Sequence, residues 1–241
     1  MIRLCTDTSE LDFLPPDPFC AVITALGDTY PADRDFIRFY LQGEDAALSI
    51  IDGNANLWCG ENADTREIAD FIEFAGIRSL RSDISFFEKA EIKPDDSSYI
   101  VKYVSAEKPE EPDNFRSESD YKEIFNLLTA AGFEMGSYSA FLEDICARMN
   151  KGTCRGGFIY AGSLQCCAFR LFEGRKSALI GAVATDPGCR GRGLASSLVP
   201  YMAQGEKDSF LFCRNDSLLD FYKKCGFEYY GKWATKYFQG E

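Results

Sequence analysis

The chain has 241 residues, 46% hydrophobic and 27% charged, and its 26 Lys+Arg against 38 Asp+Glu give a net charge of −12. That balance fits a folded globular protein with one large core or two modest ones. It argues against a nucleic-acid surface, which rests on neutralising phosphates, and no run approaches the roughly 20 apolar residues a membrane span requires. The acidity is uneven: residues 1–113 carry 10 basic and 24 acidic side chains (−14), residues 114–241 carry 16 and 14 (+2). The opening MIRLCTDTSELDF has no apolar segment of the secretory kind, so a cytoplasmic location is expected. Ten cysteines are scattered without a C-x-x-C pair and histidine is absent, so no metal site is expected and the thiols read as small buried hydrophobes.

In the first half, Phe19 to Leu26 and Ala46 to Ile51 read as strands, and Asp52-Gly53-Asn54 turns the second back through Ala55 to Cys59. Thr65 to Ala75 reads as a helix with Ile68, Ala69, Ile72 and Ala75 on one face and Gly76 as its stop. The run Tyr99 to Val104 could belong to either half. This order resembles a shortened version of the second half, but it contains no phosphate-type loop.

Glu107 to Asn114, EKPEEPDN, reads as a linker. Helices are expected around Ile124 to Ala131 and Tyr138 to Met149, then three β runs, Gly156 to Ala161, Leu164 to Phe172 and Ser177 to Thr185, joined by hairpin-length turns as an antiparallel meander. A helix marked by Leu194, Leu198, Tyr201 and Met202 comes next, then the strand Ser209 to Cys213 and a helix through Leu218 and Tyr222 closed by Gly226. An aromatic strand pair, Phe227 to Gly231 and Trp233 to Phe238, finishes the pattern. The expected division is a smaller acidic α/β domain over 1–97 and a main domain over 98–241.

The stretch VATDPGCRGRGLASSL, Val183 to Leu198, sets a glycine-rich turn between an apolar strand and a helix start. Such a turn aims unpaired backbone N–H groups where the helix dipole favours an anion. Gly188, Gly191 and Gly193 remove β-carbons, and Arg190 and Arg192 add charge. A Walker A loop would need lysine after these glycines, and a Rossmann fingerprint would need a third glycine where Ser196 stands.

Arg190 to Ala195, R-G-R-G-L-A, resembles the [Q/R]-x-x-G-x-[G/A] signature of the GNAT superfamily of acyl-CoA-dependent N-acyltransferases, with a strand and Asp186-Pro187 before it. Asn215 followed by LLDFYKKCGF, Leu218 to Phe227, is similar to the family's later segment, an asparagine ahead of a helix that carries F-Y and ends in G-F. The resemblance covers roughly Tyr99 to Phe238. It implies an α+β fold in α/β/α layers, a mixed and mostly antiparallel central sheet flanked by helices, with acetyl-CoA as acyl donor and a small-molecule or peptide amine as acceptor. It also implies that Cys189, Arg190, Gly191, Arg192, Gly193, Leu194 and Ala195 face the cofactor phosphates with amides, that Ser196 adds a hydroxyl, and that Val183 and Thr185 lie beside pantetheine.

By the same resemblance Tyr222 protonates the leaving thiolate and Asn215 orients the cofactor or a water. The residues themselves leave a core aromatic and a helix cap open for these two positions. For the base, Glu173 and Glu134 are the candidates, with water relay as the alternative. Cys213 lies on the strand beside the expected cofactor path, where a thiol could take the acyl group, although the family transfers directly in a ternary complex. The acidic first half could rim an acceptor cleft and attract a cationic amine. A non-catalytic CoA-binding module that retains the fold is the alternative to an enzyme.

Overall fold

The computed structural model describes residues 1–32 and 34–238. In the first half the order is β1 (Ile2–Leu4), α1 (Pro18–Thr29), β2 (Ile37–Gln42), β3 (Ala46–Ile51), β4 (Asn54–Cys59), α2 (Thr65–Phe74), β5 (Ser79–Asp83), α3 (Ile84–Lys89) and β6 (Asp96–Tyr103). The second half runs β7 (Phe115–Arg116), α4 (Tyr121–Ala130), α5 (Tyr138–Asn150), β8 (Arg155–Tyr160), β9 (Leu164–Glu173), β10 (Ser177–Thr185), α6 (Leu194–Ala203), β11 (Asp208–Cys213), α7 (Asp216–Lys224) and β12 (Phe227–Tyr237).

All strands join one twelve-stranded sheet in the order β1-β2-β3-β4-β5-β12-β6-β11-β10-β9-β8-β7. Read inward from either edge the two halves repeat the same plan, and each contains a single parallel pair, β4–β5 and β10–β11, among antiparallel neighbours. At the centre the last strands are exchanged. β6 lies against β11 of the second half, β12 lies against β5 of the first, and β6 and β12 pair with each other. The 97/98 division read from the sequence falls inside β6.

Helices α1, α4 and α5 cover one face of the sheet and α2, α3, α6 and α7 the other, which gives the α/β/α layering. The core under α1 mixes both halves: Phe19, Ile23 and Phe39 pack in one cluster with Ile100, Leu179, Phe210 and Trp233.

Two expectations need correction. Phe19 to Leu26 is helical. Asp17 caps α1 by accepting from the Phe19 and Cys20 amides at 2.8 and 3.3 Å, and Pro18 opens its first turn. Because this helix is buried on nearly every side it shows no amphipathic period, and a short apolar run then reads equally well as a strand. The terminal strand pair is a single strand, β12, with a register shift between Tyr229 and Gly231, so that Gly231 marks a bulge and not a hairpin turn. Among the cysteines, seven are buried and all ten are free.

Candidate functional site

The site grows from the way β10 and β11 part. Their parallel pairing runs from Ser177 opposite Asp208 to Ile180 opposite Leu211 and goes no further. On its other side β10 shifts register against β9 between Gly181 and Ala184, and Ala182 takes a positive φ of 48°. This bulge bends β10 away from β11. Between the strands a cavity of about 690 Å³ opens. Gly181, Ala182 and Val183 form one wall and Leu211, Phe212 and Arg214 the other. Leu218 and Tyr222 reach it from α7, and Phe133 and Glu134 from the α4–α5 connection. Asp96 of β6 and Tyr237 of β12 complete the lining, so the strand exchange contributes to the site.

Beyond β10 the chain makes the glycine-rich turn. Asp186 ties its first part together: its carboxylate accepts from the Gly188 amide at 2.8 Å and its carbonyl from the Cys189 amide at 2.8 Å. Among the described residues, no acceptor within the protein is found for the amides of Arg190 to Ser196; the first helical bond of α6 is Ser197 N–H to Gly193 O at 3.1 Å. Gly191 and Gly193 hold φ of 77° and 81°, the left-handed region where a side chain is strained. Every other α-helix start has a side-chain cap, from Asp17, Asp64, Asp83, Asp120, Ser137 and Asn215; α6 starts on Gly193 and has none. The Cys189 amide is therefore spoken for, and the row of open amides begins one residue later than the sequence reading placed it. In front of them lies a basin of about 840 Å³ that Arg192, Ser196, Lys224 and Lys108 line together with the acidic linker, whose Glu111 is held by the Tyr201 hydroxyl at 2.9 Å.

The matching position of the first half is closed. There Asp64 caps α2 by accepting from the Arg66 and Glu67 amides at 3.1 and 3.0 Å, and Ser82 bridges the β4–β5 seam by donating to Leu57 O at 3.0 Å. A carboxylate thus already sits where an anion would bind.

Tyr222 is 6% exposed, rests against the rings of Phe221 and Phe227, and its hydroxyl forms no hydrogen bond among the described residues. Burial, with smaller contributions from Cys213 and Cys225, pushes its phenol well above the ordinary range, so it keeps its proton at neutral pH. Val183 shares the cavity with it. Thr185 directs its hydroxyl at Cys166 Sγ, 3.4 Å away on β9. Asn215 caps α7 by accepting from the Leu218 amide at 3.0 Å and does not line the cavity. Cys213 is fully buried, donates to Asn215 O at 3.2 Å, and burial raises its pKa, which keeps it a thiol and a poor nucleophile.

Glu173 is set apart from all of these. It ends β9 opposite Ala178, at the start of β10, roughly 20 Å of strand from the turn. Its carboxylate is engaged by Arg170 at 2.6 Å, Arg155 at 3.1 Å and Lys207 at 3.7 Å. Burial opposes ionisation there, yet these cations hold its pKa below the ordinary value. Glu173 does not line the cavity, and its carboxylate is turned to these three cations. Glu134 does face the cavity. Among the described residues before Asp96 none lines it, so the acidic first half reaches this cleft through Asp96 and not as a rim of carboxylates. Arg214, Asp96 and Tyr237 were not singled out from the sequence; only Arg214, one residue before Asn215, carried any positional signal.

Residues 154–229 match the family model described as acetyltransferase (GNAT) domain. It is over these residues that the chain is similar to the GNAT family. A Drosophila protein of solved structure superposes on this chain with a TM-score of 0.63 at 14% identity, over 98% of each chain. A tandem GNAT protein from the clavulanic acid biosynthesis pathway gives 0.58 at 12%, over 98% of this chain and 97% of its own. For a GCN5-related N-acetyltransferase from Kribbella flavida the values are 0.56 and 13%, over 81% and 87%. At such identities the likeness is one of fold, and it extends past the matched residues into the first half. No curated protein matches the chain. Among the described residues no helix is long and apolar enough to cross a membrane, and no group of three or more His, Cys, Asp or Glu could hold a metal ion.

Proposed function

We propose that the chain is an N-acyltransferase that moves an acetyl group from acetyl-CoA to a primary amine by direct attack in a ternary complex. What carries this reading is the uncapped start of α6 beside a cavity that holds a buried, proton-bearing phenol.

The residues suit the donor. Open amides from Arg190 to Ser196 can take a diphosphate, with Arg192 and Lys224 adding charge in the adjoining basin. The unpaired edge of β10 from Gly181 to Val183 offers strand-like hydrogen bonds to the amides of a pantetheine arm. Bound acetyl-CoA would supply an activated thioester. Tyr222, un-ionised and without an acceptor among the described residues, holds a proton for the departing sulfur. Glu134, at the mouth on the α4–α5 side, draws in the ammonium form of the acceptor and can take up its proton. Asn215 acts through the start of α7, which it fixes and on which Tyr222 is carried.

The test is acetyl-CoA turnover, read as free thiol, over a panel of primary amines, together with a thermal shift on adding CoA or acetyl-CoA. A ligand at about 100 times its Kd stabilises by about 2.7 kcal/mol, enough to register. Absence of any shift would overturn the reading. A shift without thiol release from any amine would mark a CoA-binding module that retains the fold.

A further inference from the structure

A second cavity of about 410 Å³ adjoins the one at the strand gap, between α4, α5 and the β9–β10 hairpin, and the two share Phe133, Glu134 and Ala182 as lining. Leu128, Met135, Phe141, Ile145, Phe169 and Leu171 give this second space an apolar lining. Its one cation, Arg148, is paired within the protein: Nη1 donates to Leu171 O at 2.7 Å, Nε and Nη2 donate to the two oxygens of Asp144, and the guanidinium lies over the Phe172 ring at 4.8 Å. Asp144 thus balances its charge at the pocket wall. The Glu134 carboxylate at the shared mouth makes no hydrogen bond or ion pair among the described residues.

We propose that this pocket receives an apolar group of the acceptor, so that the acceptor is a primary amine carrying a ring or branched alkyl group a few bonds from its nitrogen. The inference rests on the acyl-transfer reading above. Position assigns the pocket to the acceptor and not to the donor. It lies on the α4–α5 face of the sheet, whereas the open amides of α6 and the Tyr222 hydroxyl belong to the opposite face. A donor held by the α6 turn reaches the gap from one side, and the amine enters from the other, past Glu134. The volume suits one aromatic side group, within the range of small-molecule pockets. The ends of such an acceptor are matched separately: a carboxylate for the ammonium, an apolar wall for the ring.

The experiment measures kcat/KM with acetyl-CoA for ethylamine, isoamylamine and phenethylamine, in the parent and in Ala140→Phe, which fills the pocket from the first turn of α5. Ala140→Leu is the milder second variant. A methylene in an apolar pocket is worth about tenfold or more in kcat/KM. The parent is expected to favour phenethylamine over ethylamine by at least about a hundredfold, and the ratio is expected to collapse towards one in Ala140→Phe. A flat amine series in the parent overturns the proposal. So does a variant that curtails hexanoyl-CoA as donor while leaving the amine ratio intact, since the pocket would then hold the acyl chain. If no amine is turned over, the acyl-transfer reading falls, and the pocket is still tested by phenethylamine binding to the CoA-loaded protein. A thermal shift in the parent that Ala140→Phe abolishes supports it, and no shift in the parent overturns it.

Discussion

Ile180 and Leu211 are the last residues to pair across the two parallel strands of the second half. Past them β10 bends away at Ala182, and the strand edges and Tyr222 face the gap so made. In the first half the corresponding seam, β4–β5, pairs as far as Asn56 opposite Arg81 and is then bridged by Ser82. One plan is thus built twice, open once and closed once.

Tyr222→Phe should lower kcat by about 10²–10⁴-fold if the hydroxyl delivers the proton. Because that hydroxyl has no hydrogen-bond partner among the described residues, stability should stay within about 0.5 kcal/mol of the parent. In the parent, the burial that raises the phenol pKa keeps the acid protonated through the ordinary tyrosine range, so kcat should show no alkaline fall there. Free-thiol kinetics against pH, with a melting curve for each protein, checks all three.

Gly193→Ala places a side chain at φ 81°, where the left-handed backbone costs about 1–2 kcal/mol. No neighbour crowds the new methyl, the nearest atom being Ser196 Oγ at 4.0 Å, so the effect is conformational. Folding stability should fall by about 1 kcal/mol. Acetyl-CoA affinity should fall by about tenfold as one or two amides lose their aim. Calorimetric titration separates the two.

Glu173→Gln removes the carboxylate partner of Arg170, which is 2% exposed and retains Ser209 and the Met202 carbonyl. Stability should drop by about 3 kcal/mol. Because the folded pKa of Glu173 is depressed from 4.5, its contribution is present above that pH and is lost as pH falls through the folded value. Denaturation curves should therefore show the gap between parent and variant narrowing as pH falls below 4.5. The pH profile of kcat per folded molecule should not move, as it would if Glu173 were the base.

Asp17 behaves in the opposite sense. Burial, opposed by the Phe19 and Cys20 amides and reinforced by Asp83, raises its pKa from 3.8 to about 6. The folded state then binds the proton more tightly than the unfolded one, so stability from this group is greatest below pH 3.8 and declines as pH rises to about 6. Asp17→Asn keeps a good N-cap and should stabilise at pH 7 by up to about 3 kcal/mol, with little difference at pH 4. Urea unfolding at the two pH values decides it.

Residues 98–241 made alone should not give a stable monomer. That fragment lacks α1, whose Phe19 and Ile23 share a core with Leu179 and Phe210, and it leaves the edge of β12 without β5. Exchange protection and sedimentation of the fragment against the full chain would show whether the halves are separable.

Local signals carried the second half of this protein. Glycine, proline and asparagine punctuation marked α4 to α7 and β8 to β11 in the sequence, because those helices each have one buried face and those strands, buried on both, read as short apolar runs between turns. The glycine turn was equally legible, since an uncapped helix start and two left-handed backbone positions demand particular residues in sequence. By contrast α1 was misread, because a helix buried all round has no period to display. Glu173 could be separated from the site only by the sheet register, which fixes how far along a strand a residue lies and which cations close on it. The gap between β10 and β11 likewise arose from strand pairing, and Asp96 and Tyr237 were brought to it by the pairing of β6 with β12, residues more than a hundred positions apart. Hydrogen-bond pairing over such separations leaves no periodic trace in the chain, so the tertiary structure alone decided which charged and aromatic side chains share the cavity.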